Sequence, residues 1–174
     1  AGAAAEPLLR GRRAAALGQL SAVLGDDERA VAVYREFLDG PSVIGEFERA
    51  ERNTLLRELA ESLYRLGRPR EARDAIAPLL DPAGGAAPID RLPAEIIAAS
   101  LDDDLGDPGA AKVRLERVEG EAATVLGPHH PMLADIALRL ANVLLSLGDG
   151  DGAVVAGRRA ADRFAALGNG AGDI

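Results

Sequence analysis

The amino-acid sequence predicts an all-α protein of four stacked, antiparallel helix pairs, and two observations carry that prediction. The first is composition: the 174 residues include 35 Ala and 25 Leu, but only 10 Val, 7 Ile and 2 Thr. Ala and Leu favour helices, whereas the β-branched residues that favour strands are scarce. The second is the phrase Leu-Gly-x-x-x-x-Ala, which occurs four times along the chain.

The phrase recurs at a nearly constant interval, which indicates an internal repeat. Its copies begin at Leu24, Leu66, Leu105 and Leu147, so that successive glycines are 42, 39 and 42 residues apart. A Gly after the last apolar residue of a helix supplies the left-handed residue that ends it, and the Asp or Pro that follows favours a new helix start. The Ala one turn later lets the two helices approach closely. Each copy therefore predicts a helix pair, which must stack on its neighbours to bury its apolar face.

Apolar spacing and the Gly and Pro breaks place the individual helices. The predicted helices are 6–24, 27–39, 47–66, 69–80, 92–105, 108–126, 131–147 and 151–168. They form a single domain, 1–174, with repeats at about 8–40, 47–80, 92–126 and 131–168. We expect the Pro- and Gly-rich break at 81–90 to be a hinge and the tail 169–174 to be disordered.

Charge and composition exclude several classes of function. The net charge of −8 and the pI near 4.8 argue against binding to a nucleic-acid backbone, which requires clustered positive charge. No apolar run is long enough to span a bilayer, so we expect no membrane partner. The chain has no cysteine, which excludes thiol chemistry and suits a reducing compartment. We therefore expect a cytoplasmic protein.

Three polar motifs are candidates for chemistry, and each has a simpler interpretation. The adjacent His129 and His130 lie in a Pro-flanked turn, where they cannot easily converge on one ion, so turn formation and capping are favoured over a metal or catalytic role. The segment 148–152 has the glycines of a nucleotide loop but follows a helical pattern, which indicates a turn within a repeat. The acidic group of residues 102–104 and 107 fits the solvated end of a helix, or a site for a cation or a basic ligand. We predict no enzyme activity, no cofactor and no metal.

Three copies of the repeat match a known framework of large and small apolar positions. The matching residues are Leu17, Gly18, Gly25, Ala30 and Tyr34 in the first copy, Leu56, Leu59, Ala60, Leu63, Gly67, Ala72 and Ile76 in the second, and Leu140, Ala141, Leu144, Gly148, Ala153 and Ala160 in the fourth. The third copy is weakest, because Asp102 stands where a large apolar residue is expected. In these positions the sequence resembles the tetratricopeptide repeat (TPR) family.

The interval between copies points to one branch of that family. It is longer than the usual period of about 34 residues. In this interval the sequence resembles the long-period, kinesin-light-chain-like branch of the family found in bacterial proteins. That branch has a Leu-Gly-Pro-x-His-Pro phrase, which residues 126–131 match.

The resemblance implies a right-handed superhelical solenoid whose first helices line a concave groove. Carried over position by position, it implies these partner-binding residues: Arg12, Gln19, Arg57, Glu61, Tyr64, Arg65, Ser100 and Asn142. The matching positions of the fourth copy also include Leu138 and Leu145. Arg57, Glu61 and Tyr64 share one helix face, where Arg and Tyr are common interface anchors. A solvated face with an internal Arg57–Glu61 pair is the other interpretation of the same spacing.

These features predict a non-catalytic scaffold that binds a protein or peptide in its groove. The alternative is a regulatory or sensor module of a larger signalling or transcription-regulating protein, in contact with flanking domains or with a second copy of itself. An enzyme would have to depend on His129, His130 and the acidic group.

Overall fold

All eight predicted helices are present in a computed structural model that describes residues 5–40, 46–81 and 88–169. They are α1 (Ala5–Val23), α2 (Asp27–Leu38), α3 (Glu46–Arg65), α4 (Pro69–Leu80), α5 (Pro88–Asp104), α6 (Pro108–Leu126), α7 (Met132–Ser146) and α8 (Gly150–Asn169). The described ranges contain no strand, which confirms the all-α prediction. The predicted bounds agree to within one residue, except that α5 begins four residues early at Pro88. A proline fits the first helical position because the N–H that it lacks would have no partner there.

The four copies of the repeated phrase form the same turn. Their glycines have positive φ angles of 79° at Gly25, 69° at Gly67, 92° at Gly106 and 77° at Gly148. In the first turn the Gly25 N–H donates to the Ala22 carbonyl and the Asp26 N–H donates to the Ser21 carbonyl, and the same two bonds recur in the other three turns. These bonds satisfy the carbonyls that a helix end leaves without partners. The predicted turn within each repeat is confirmed.

Each turn also starts the next helix. The carboxylates of Asp26, Asp107 and Asp149 accept the backbone N–H three residues later, at 3.1, 2.9 and 2.9 Å. Arg68 occupies this place in the second copy and makes no such bond, but Pro69 follows it at the first helical position. The second helix therefore starts in register even where the capping side chain is missing.

Small residues allow the two helices of a pair to approach closely. The alanine of each phrase is buried: the exposed fraction is 0% for Ala30, Ala72 and Ala111 and 6% for Ala153. In the first pair, a Cβ built on Gly18 would lie 2.1 Å from the ring of Tyr34, so the ring occupies space that only glycine leaves empty. In the fourth pair both equivalent positions are small, and a Cβ on Gly157 would meet the Ala141 Cβ at 4.0 Å.

The chain divides into two compact units, Ala1–Gly85 and Ala86–Ile174. In the first unit α1 packs on α2 and α3 packs on α4, while α3 also contacts both α1 and α2. The second unit repeats this pattern, because α5–α6 and α7–α8 form pairs and α7 contacts both α5 and α6. Each unit is thus an all-helical arrangement of two repeated pairs.

The predicted hinge and tail lie largely outside the described residues. Residues 82–87 and 170–174 are not described, whereas 88–90 belong to α5 and Asn169 ends α8. Among the described residues, no helix combines the length and the apolar character that crossing a bilayer requires.

The close approach at Gly18 predicts an unusual response to alanine. Gly18→Ala should destabilise the protein, by about 1–3 kcal/mol, because the new methyl group displaces the Tyr34 ring. The same change in a Tyr34→Leu background should lose most of this penalty. Gly120→Ala is the matched control in a helix, because a Cβ there has nothing within 4 Å; it should stabilise the protein by up to about 1 kcal/mol. Urea unfolding of the four variants measures these effects, and a stabilising Gly18→Ala would contradict the packing.

Tyr34 also predicts a loss of stability at high pH. Its side chain is fully buried, its hydroxyl has no hydrogen-bond partner within the described residues, and burial, followed by the charge of Glu58, raises its pKa from 10.0 to about 12. Between pH 10 and 12 the unfolded chain therefore loses the phenol proton while the folded chain keeps it. The free energy of unfolding should fall by about 2 kcal/mol over this range. Tyr34→Phe should remove this loss in denaturant titrations at each pH, whereas Tyr64→Phe should retain it.

Candidate functional site

Polar side chains link the first helices of neighbouring repeats within each unit. In the first unit Arg12 Nε donates to Glu51 at 3.4 Å and Gln19 Nε2 donates to Glu58 at 3.5 Å, both from α1 to α3. In the second unit Arg139 on α7 donates to Ser100 Oγ on α5 at 2.7 Å. All three links span 39 residues. We call the surface that carries these links the first-helix face of each unit.

Most of the predicted charge on the first-helix face of the first unit is paired internally. Arg57 donates to Glu61 and to Glu58, each at 2.8 Å. The internal pair that the sequence allowed is therefore formed, and a second carboxylate joins it. Tyr64 lies beside them with 36% of its surface exposed. The charged groups on the first-helix face of the first unit are therefore mostly bonded to one another.

Arg65, one of the predicted binding residues, makes an ion pair with a neighbouring helix. Its guanidinium binds the carboxylate of Asp27 at the start of α2 through bonds of 2.7, 3.0 and 3.1 Å, and it also donates to Ser62 Oγ at 3.0 Å. The Arg65 hydrogen bonds lower the pKa of Asp27 below its ordinary value. Arg65 thus joins α3 to the start of α2, where the Asp27 carboxylate also interacts favourably with the helix dipole.

The first-helix face of the second unit keeps groups without internal partners. Asn142 is exposed, and its side-chain amide makes no hydrogen bond to any described residue. Leu138 and Leu145 lie four residues before and three after it, with 44% and 61% of their surface exposed. These three residues share one face of α7 because their spacing is i, i+4 and i+7. Ser100, which was also predicted as a binding residue, is occupied by Arg139.

Acidic side chains border this apolar strip. Asp135 accepts from Arg139 at 2.9 Å, and Asp103 accepts from Ser146 Oγ at 3.2 Å. Asp104 on α5 is exposed, and its carboxylate makes no hydrogen bond or ion pair to a described residue. The second unit therefore presents two leucines, a free amide and carboxylates on neighbouring first helices.

The predicted solvated acidic end of α5 is wrong for Asp102. This residue is 7% exposed, and its carboxylate accepts from Arg114 Nε at 2.9 Å. Arg114 also binds Glu95, which is 6% exposed. The basic group that these acids bind thus comes from the same chain, on the facing helix α6. Asp107 caps α6, so its carboxylate is also committed.

The ion pairs between α5 and α6 form one connected network. Arg117 joins Glu95 to Glu121 at 2.8 and 3.3 Å, and Arg91 binds Glu121 at 2.8 Å. With increasing distance from the turn between the two helices, the bonded residues have lower numbers on α5 and higher numbers on α6. They are 102 with 114, 95 with 114 and 91 with 121, as in an antiparallel pair. Charged pairs here replace the large apolar residue expected at position 102.

The histidine turn and the glycine loop have structural roles. His130 Nδ1 accepts the backbone N–H of Met132 at 3.2 Å, which satisfies a donor at the start of α7. This bond is of the local kind that the turn interpretation predicts, although the residue at the N-cap position of α7 is Pro131. The loop 148–152 contains the turn glycine Gly148 and the capping Asp149. Among the described residues, no group of three or more His, Asp or Glu side chains is placed to hold a metal ion.

Sequence reasoning missed the partners of the predicted residues. Glu51, Glu58, Asp27 and Arg139 were absent from the predicted set, although each binds a member of it. A search for complementary side chains 38 or 39 residues apart would have found all four. The arginines 158, 159 and 163 of α8 were also missed, because on a single helix they resemble an ordinary solvated face.

A scan against protein-family models and a search of curated proteins each return no match to this chain. The function proposed below therefore rests on the residues of this chain and their contacts.

The network between α5 and α6 predicts a large difference between one substitution and three. Arg114→Met should destabilise the protein by about 3 kcal/mol, because the buried carboxylates of Glu95 and Asp102 both lose their bond to Arg114, although Glu95 keeps its bond to Arg117. Adding Glu95→Leu and Asp102→Leu to Arg114→Met should restore the stability or exceed that of the wild type. Lys112→Met breaks only the exposed 3.9 Å pair with Glu116 and should cost less than about 1 kcal/mol. Thermal and urea unfolding give the comparison, and a tolerated Arg114→Met would contradict the buried network.

Proposed function

We propose that this chain is a non-catalytic helical-repeat scaffold of the TPR type, which binds a protein or peptide segment along its first-helix faces. The observation that carries the proposal is the strip of α7 formed by Leu138, Asn142 and Leu145. The two exposed leucines offer apolar surface that a ligand can cover, and the exposed Asn142 amide between them is free to bond to it.

The spacing of the strip defines the ligand. Leu138 and Leu145 are seven residues apart on a helix, so their backbones are about 10 Å apart. A peptide in the extended polyproline II conformation covers nearly this distance in three residues, at about 3.1 Å each, and its side chains return to the same face every third residue. The Asn142 amide can both donate to and accept from the peptide backbone between the two apolar contacts. Among the described residues, the carboxylates of Asp103, Asp104 and Asp135 outnumber the single cation beside the strip, Arg139, so the surroundings favour a ligand with a basic residue beside its apolar ones.

The polar links between first helices support the same proposal. The Arg139–Ser100 bond fixes α7 against α5, so the strip is held rigid before a ligand arrives. A rigid surface loses little entropy on binding. We place Asn142 and Ser100 in the binding region, with Ser100 acting through Arg139. Arg12, Gln19, Arg57, Glu61, Tyr64 and Arg65 would line the corresponding face of the first unit.

One observation favours the alternative of a regulatory or self-associating module. Four apolar residues of α1 and the leucine that follows the helix are exposed: Leu9, Leu17, Leu20, Val23 and Leu24. A flanking domain or a second copy of the chain could cover them. A sedimentation coefficient independent of protein concentration would speak against self-association. A cytoplasmic location is part of the proposal and suits either function, since a chain without cysteine depends on no disulfide.

Selection from a random peptide library on the immobilised full chain tests the proposal. We expect the selected peptides to share two apolar residues three positions apart and a basic residue. Leu138→Gln with Leu145→Gln should weaken their binding at least tenfold in calorimetry, because each buried leucine contributes about 1.5–3 kcal/mol. Gln retains the helix propensity.

The matched control changes exposed apolar residues of a second helix. Val113 and Val125 on α6 are 67% and 45% exposed, so Val113→Gln with Val125→Gln removes a similar surface elsewhere in the same unit. This variant should bind the selected peptides within about twofold of the wild type. Peptides that bind both double variants equally well, or a library that yields no binder, would contradict the proposal.

A further inference from the structure

A cavity of about 610 Å³ lies in the second unit, between the turn after α6 and one side of α8. Its polar lining consists of His129, His130, Arg158, Arg159, Asp162 and Arg163. Apolar side chains, among them Val155 and Leu167, complete the wall. This volume lies within the range of small-molecule sites, which usually combine an apolar wall with a few converging polar groups.

Two of the three arginines are held in place from behind. The carboxylate of Glu119 on α6 accepts from Arg163 Nη1 at 2.6 Å and from Arg159 Nη2 at 3.2 Å. Arg163 Nη1 also donates to the carbonyl of Leu133 at 2.8 Å. A ligand would therefore meet guanidinium groups that are already oriented, which reduces the entropy lost on binding.

Several donors of the residues that line the cavity make no bond to a described residue. Arg159 Nε is buried and has no hydrogen-bond partner in the described part of the chain. The side chains of Arg158 and His129 likewise make no hydrogen bond or ion pair to a described residue. His130 accepts the Met132 N–H at Nδ1, so its Nε2 is left to donate. A buried donor without an acceptor is costly, and such groups usually bind water, an ion or a ligand.

The charge of the cavity selects an anion. Arg158, Arg159 and Arg163 carry three positive charges, whereas Glu119 and Asp162 carry two negative ones, so one positive charge is left over before the histidines are counted. Planar guanidinium groups match the oxygens of carboxylates and phosphates. The apolar wall at Val155 and Leu167 favours a ligand that carries a ring or a short chain beside its charged group.

We propose that this cavity binds a small organic oxyanion, a carboxylate or a phosphate monoester with an apolar body. The oxyanion accepts from the guanidinium group of Arg158, the guanidinium group of Arg159 lies in the same lining, and His129 is placed there to donate a further bond. The apolar body lies against Val155 and Leu167. This site is on α8 and does not depend on the first-helix faces, so it would bind its ligand whether or not the peptide proposal holds.

Titration of the full chain with defined probes tests the charge requirement. Phenyl phosphate and benzoate are the anionic probes, benzyl alcohol and benzylamine are the neutral and cationic controls, and inorganic phosphate lacks the apolar body. We expect at least one anionic aromatic probe to bind at millimolar concentration or below and to shift the NMR signals of Arg159 Nε–Hε and His129. It should bind more tightly than inorganic phosphate and than both control compounds. If phenyl phosphate binds more tightly than benzoate, the site prefers a phosphate monoester, and the reverse order indicates a carboxylate.

Substitutions test the location. Arg158→Gln and Arg159→Met should each weaken the anionic probe about tenfold or more, as expected for one hydrogen bond to a charged group. Arg70→Gln is the control, because Arg70 is an exposed arginine of α4 without a described partner, and it should change the affinity less than twofold. Arg158 makes no internal bond, so its variant decides the outcome if Arg159→Met fails to fold.

Three results would overturn the proposal. The first is no binding of either anionic aromatic probe at 10 mM, a limit of about 3 kcal/mol in binding free energy. The second is equal binding of benzyl alcohol or inorganic phosphate, which would indicate an apolar hollow or an adventitious ion only. The third is an affinity that Arg158→Gln leaves unchanged, which would place the probe elsewhere.

Discussion

The fold of each unit depends on one constraint: two helices must reverse direction within a single turn and then pack against each other without a gap. A left-handed glycine makes the reversal possible, and its backbone bonds satisfy the carbonyls of the first helix. A small residue one turn into the second helix then allows close contact, as the full burial of Ala30, Ala72 and Ala111 indicates. Because backbone atoms supply the turn bonds, the cap can change from Asp26 to Arg68 without changing the turn.

Polar side chains in this protein mainly connect helices to one another. Three of the predicted binding residues already have a partner in the same chain: Arg57, Arg65 and Ser100. The two proposed binding surfaces are ones that this internal pairing does not use. In the second unit these are the leucines and the free amide of α7 on one side, and the arginine-lined cavity beside α8 on another. The two surfaces favour opposite ligands, since carboxylates border the first and guanidinium groups line the second.

The α5–α6 pair uses a buried ionic network where apolar contacts were expected. Glu95 and Asp102 are almost fully buried, and Arg114 lies between them. Such networks often contribute little net stability, because desolvation of the charges offsets their attraction. Such networks do require a particular geometry. The bonds that residues 91, 95 and 102 of α5 make to α6 can all form in one antiparallel register of the two helices. The third copy of the repeat therefore deviates from the framework in residue type while keeping the same helix pair.

The sequence by itself determined the local structure: the eight helices, the four turns and the small residues at the contacts, including Ala153 and Gly148. Each of these depends on interactions within a few residues, which spacing and residue type record directly. Only the tertiary structure decided which polar residues are free. Arg65 and Asn142 look equally available in the sequence, but one meets Asp27, 38 residues away, and the other meets no described side chain. The cavity was also beyond the sequence, because it forms where α8 comes beside the turn after α6 and brings Arg158 to the same space as His129. Contacts between distant residues depend on how the pairs stack, and no local pattern in the chain encodes that stacking.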